Sequence, residues 1–98
     1  VLGDLNDTVT HPSGQEVFAP FLEDAEFRWQ TESLAMQGET SYLPSRSLID
    51  HIVTTSALDD ELSGSGGARI PRLDVQLSTY QNEVSDHLPV VLSFPVLP

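Results

Sequence analysis

The chain has no cysteine and no lysine, and only one methionine and one tryptophan. Without cysteine it forms no disulfide, no thiolate metal centre and no cysteine nucleophile, and its redox compartment stays open. Without lysine, Arg28, Arg46, Arg69 and Arg72 are the only fixed cations. They face 15 acidic residues, for a net charge of −11. Such a field repels polyanions at long range. A nonspecific nucleic-acid binder carries a basic stripe, and none is present. A divalent cation reverses the field locally, so the charge argues against broad electrostatic binding and not against phosphate chemistry. A solvated acidic surface accounts for most of these acids. No apolar run approaches membrane-spanning length, so no membrane span is expected. The amino end also lacks a basic segment followed by an apolar one. The acidity and the missing cysteine are compatible with an exported bacterial protein, but they do not fix the compartment.

What is present fits one small domain. Its 98 residues are 39% hydrophobic, on the low side for a globular chain, so a core is possible but not generous. Val1-Leu2 reads as the end of a buried strand, left through the turn-forming Gly3-Asp4-Leu5-Asn6-Asp7. A helix is expected over 15–25, with Val17, Phe18, Phe21, Leu22 and Ala25 on one face, Ser13 as cap and Pro20 as a possible break. Phe27-Arg28-Trp29 reads as a short extended piece with Trp29 in the core. A short strand is expected over 40–43. The β-branched segment 47–55 is the clearest strand, suited to burial on both faces. One helical turn is expected over 57–62 and a flexible loop over 63–67. Alternation over 73–77 suggests a half-buried strand, and 89–94 suggests a last one. The pattern implies an α+β fold of α/β sandwich type.

Three polar clusters fall at the ends of apolar segments: Asp4 with Asn6, Asp50 with His51, and Asp86 with His87. A carboxylate flanked by Ile49 and Ile52 needs a hydrogen-bond donor, because an unpaired charge there is costly. A histidine from another segment is a natural donor. If His87 supplies it, the ring is oriented and its basicity raised. His51, next in line after Asp50, points to the opposite face of a strand and is expected to be structural. His11 reads as a solvated loop residue and Asp7 as a loop cap. Arg46 and Arg69 lie in loops and read mainly as solvated.

Gly3-Asp4-Leu5-Asn6-Asp7, Ile49-Asp50-His51-Ile52 and Ser85-Asp86-His87-Leu88-Pro89-Val90 resemble, in order, the last three motifs of the endonuclease/exonuclease/phosphatase family, the DNase I-like fold. The resemblance covers residues 1 to about 94. It implies that these residues form the carboxy-terminal half of the domain, one sheet-plus-helix layer of a four-layer αββα sandwich. The amino-terminal half, with its metal-binding Asn and Glu, is absent from this chain. The implied activity is hydrolysis of a phosphoester (a small molecule, a lipid head group or nucleic acid) by an activated water with Mg²⁺ or Mn²⁺. Asp4 would orient the water, and Asn6 would hydrogen-bond the scissile phosphate. Asp86 would contribute to the metal site. His87 would contact the phosphoryl oxygen and transfer a proton, with Asp50 holding its ring. Hard oxygen ligands suit Mg²⁺. Two alternatives stay open: a non-catalytic binding or scaffold protein retaining the fold, and a fragment without activity of its own.

Overall fold

A computed structural model describes residues 1–98. Its elements run β1 (Leu2–Asp4), α1 (Pro12–Leu22), β2 (Phe27–Trp29), α2 (Glu32–Met36), β3 (Asp50–Thr55), a 3₁₀ turn (Ser56–Leu58), α3 (Asp59–Leu62), α4 (Leu73–Gln76) and α5 (Tyr80–Glu83). This is an α+β architecture. The β-branched Ile, Val and Thr of β3 favour an extended backbone. β3 becomes the centre of a three-stranded antiparallel sheet in the order β1-β3-β2. Leu2 pairs with Ile52 and Asp4 with Asp50 on one side, and Trp29 pairs with Val53 on the other.

That register sorts side chains by face. His51 and Val53 are buried, whereas Asp50, Ile52 and Thr54 are half-buried. β3 is therefore covered fully on one face only, not on both as its composition suggested. The covered face meets α1. Phe18 packs 5.2 Å from Trp29, and Trp29 lies 5.4 Å from the His51 ring in an edge-on contact, centroid to centroid. Val9, Leu34, Leu48, Val53, Tyr80 and Leu88 complete the buried apolar set with Phe18.

α1 starts three residues earlier than its apolar period indicated. Pro12 sits at its start, where a missing N–H costs nothing. The His11 ring accepts from the Ser13 backbone N–H, so His11 is the cap and Ser13 lies inside the helix. Pro20 is accommodated within the helix without splitting it. Of the expected apolar face, Phe18 is buried while Val17 and Phe21 remain exposed. Gly14 packs so closely on the loop after β1 that a Cβ there would lie 1.6 Å from the Thr8 carbonyl oxygen.

Three expected strands do not form. Residues 73–76 make a helical turn, with the Leu77 N–H bonded to the Leu73 carbonyl and Arg72 gripping Asp74 through two hydrogen bonds. Alternation alone does not make a strand where no neighbouring backbone offers a ladder. Residues 89–94 join Arg69 through a single bridge at Val91. Pro89 and Pro95 flank that bridge and have no N–H to extend it. The 40–43 strand is likewise reduced to bridges, from Tyr42 to Ser47 and to His87.

Candidate active site

Three segments converge on one end of the sheet. β1 delivers Asp4, and β3 delivers Asp50 directly across from it in the ladder. The 85–88 turn delivers Asp86 and His87 from a loop, not from the start of a strand. Backbone bonds hold this turn against residues 41–43: Leu43 N–H donates to the Asp86 carbonyl, and Leu88 N–H to the Ser41 carbonyl. The Ser85 hydroxyl accepts from the His87 N–H, and the Tyr80 hydroxyl donates to the His87 carbonyl. His87 is thus fixed by its own backbone before its ring makes any contact.

The ring is then fixed at Nδ1, 2.8 Å from Asp50 Oδ2. The expected partnership of Asp50 with His87 is present in this geometry. Nε2 points the other way, 4.0 Å from Asp4 Oδ2 and 4.0 Å from Asp86 Oδ1. The Asp50 hydrogen bond, with support from the charges of Asp50, Asp4 and Asp86, raises the His87 pKa above 6.5 against a smaller opposing effect of burial. The backbone N–H groups of Ile49 and Asp50 both donate to the buried Ser41 hydroxyl, which fixes the approach to β3. Asn6 follows Asp4 in the left-handed region at φ 59°, a conformation Asn tolerates better than most residues, and its N–H donates to Asp4 Oδ1. The turn therefore orients the Asp4 carboxylate.

Asp4, Asp50 and His87 have potential ligand atoms within 4.8 Å of one another. An ion held by all three would compete with the proton shared between Asp50 and His87. Asp4 and Asp86, both exposed, offer carboxylate oxygen without that conflict. Such hard oxygen donors suit Mg²⁺ or Mn²⁺.

His51 sits on the opposite side of β3 from Asp50, as its place in the strand requires. Its Nε2–H donates to the Asp7 carbonyl at 2.9 Å, and its Nδ1 meets the Thr31 hydroxyl at 2.8 Å. Burial depresses its pKa. It ties the loop carrying Asn6 to the start of α2, a structural role. His11 is exposed but is not idle, since it caps α1.

Tyr42 escaped the sequence reading. Its ring packs 4.9 Å from the His87 ring, centroid to centroid. A lone tyrosine in a polar stretch carries no local signal; only the pairing of residues 41–43 with 86–88 brings it to the site. Scans of family models, curated proteins and solved structures find no match to this chain.

Proposed function

We propose that these residues form one layer of a divalent-metal-dependent phosphoester hydrolase of the endonuclease/exonuclease/phosphatase kind. The observation that carries this reading is the Asp50–His87 hydrogen bond, with the free Nε2 flanked by Asp4 and Asp86. When protonated, the ring held at Nδ1 by Asp50 presents a second N–H at Nε2. There it can donate to a phosphoryl oxygen or pass a proton to a departing alkoxide. The exposed Asp4 carboxylate, oriented by the Asn6 N–H, is placed to accept a proton from an attacking water. The Asn6 amide is a donor for the same phosphate.

Three carboxylates around one imidazole leave this corner negative whether or not the ring is protonated, and a phosphate does not bind there unaided. Asp86, with oxygen from Asp4, would hold a Mg²⁺ or Mn²⁺ ion, which would supply the positive charge that a phosphoryl group needs there. The remaining ligands come from a second layer, the amino-terminal half of the domain. Two features support that layer. The chain exposes 6190 Å², against about 5,500 Å² for a compact monomer of its mass. Its extents of 40 × 35 × 20 Å describe a slab.

The test is hydrolysis of a generic phosphodiester with Mg²⁺ by a chain carrying both layers. His87→Ala should lower kcat by about 10²–10⁴-fold. Equal rates for the two proteins would remove His87 from the chemistry. Residues 1–98 alone should turn over no ester; clear Mg²⁺-dependent turnover by them would overturn the two-layer assignment.

A further inference from the structure

Beside the histidine, between the loop after β1 and the 42–47 turn, lies an open groove of about 390 Å³. Its polar lining is Asn6, Thr8, Ser13, Ser45 and Ser47 together with the titratable Asp7 and His11. It adjoins the candidate active site through two shared neighbours, because Tyr42 packs on the His87 ring and the Asn6 N–H is bonded to Asp4. We infer that this groove binds the alcohol portion of the substrate, and that this portion is a neutral, polyhydroxylated group such as a sugar. The inference rests on the hydrolase reading for the position of the phosphate, and on the groove itself for the chemistry of the alcohol.

The lining selects among alcohols in three ways. It contains no arginine, so a polynucleotide extending along it would bring further phosphates to a surface without a fixed cation; the His11 ring there is engaged at Nδ1 with Ser13 as the cap of α1. Its one carboxylate, Asp7, makes this worse for a polyanion. That carboxylate is already committed to the Thr8 N–H and the Ser13 hydroxyl. An apolar chain also fits poorly, since Tyr42 and Ile49 are the only hydrophobic lining residues. Sugar hydroxyls are well matched. Each serine or threonine hydroxyl donates once and accepts twice. The Ser45–Ser47 pair, bonded to each other at 2.8 Å, therefore retains capacity for a ligand. Asn6 and Tyr42 are the lining residues that also adjoin the candidate active site, so the part of the alcohol next to the ester would lie at their end of the groove.

Backbone and imidazole NMR shifts separate the two readings, with Mg²⁺ and either inorganic phosphate or glucose-1-phosphate as probes. Glucose-1-phosphate should shift the amides of Thr8, Ser13, Ser45 and Ser47 together with the His87 ring. Inorganic phosphate should shift the ring and leave those four amides in place. Ser45→Ala, in an exposed turn, should lower the affinity ratio of glucose-1-phosphate to inorganic phosphate by about fivefold, the loss of one neutral hydrogen bond. Groove shifts with glucose-1-phosphate but no His87 response to either probe would retain the groove and overturn the hydrolase reading. A His87 response to both probes with no groove shifts, or an unchanged ratio in Ser45→Ala, would overturn the groove assignment. Tighter binding of a dinucleotide than of glucose-1-phosphate would overturn it as well.

Discussion

His87 and His51 lie 36 positions apart in the chain and on either side of one strand, and their proton equilibria run in opposite directions. His87 gains Asp50 on folding, and its pKa is raised above 6.5. The folded state then holds the proton more tightly than the unfolded state. That contribution to stability is fully present below about pH 6.5 and is lost as pH rises through the raised value. His51 is buried, and its pKa is lowered from 6.5. Its contribution is present above about pH 6.5 and is lost as pH falls through the lowered value. An NMR titration should show the His87 ring titrating above the ordinary histidine value and the His51 ring below it. Asp50→Asn keeps a hydrogen-bonding group but removes the charge, so the His87 midpoint should move down while that of His51 changes less. A His87 midpoint unmoved by Asp50→Asn would mean that the 2.8 Å contact does not set its basicity.

Among the elements, α1 and β3 follow from the residues that form them, and the rest depend on neighbours. β3 was legible because consecutive β-branched residues prefer an extended backbone. The demand of Asp50 for a donor was legible because a carboxylate between isoleucines is costly alone. The start of α1 was not legible, because His11 as a cap looks like any loop histidine until its ring is seen to accept from the Ser13 N–H. Residues 73–77 and 89–94 have the composition of strands, but a strand exists only where another backbone receives it. α1 also offers a clear test. Gly→Ala inside a helix normally stabilises by up to about 1 kcal/mol. At Gly14 the new methyl would collide with the Thr8 carbonyl. Gly14→Ala should therefore destabilise by about 3 kcal/mol, read from urea unfolding. A stabilised variant would mean that α1 does not dock on this loop.

The whole molecule is wider than it is thick, with a radius of gyration of 14.2 Å against about 12.6 Å for a compact domain of this length. Leu2 is 78% exposed, and it shares a broad apolar hollow with Ile52, Val90, Leu92 and Phe94 on the face away from α1. The isolated chain should bind an apolar fluorescent dye in its folded state, and Leu92→Asp with Phe94→Asp should reduce the signal while the circular dichroism stays constant. Dye binding unchanged by both substitutions would place the exposed apolar surface elsewhere. The order β1-β3-β2 has one more consequence, for tolerance to length changes. β3 presents Asp50 toward the candidate active site and His51 toward the aromatic core, in adjacent positions. Inserting one residue ahead of Asp50, with the pairing shifted to match, would exchange their faces. The carboxylate would enter the aromatic core in the place of His51, the imidazole would move on to the place of Ile52, and the inserted residue would stand beside His87. One codon would then erase both the His51 core contact and the Asp50–His87 pair. The same insertion among the glycines of 64–67 would change neither, so an insertion scan should show its sharpest boundary at the start of β3.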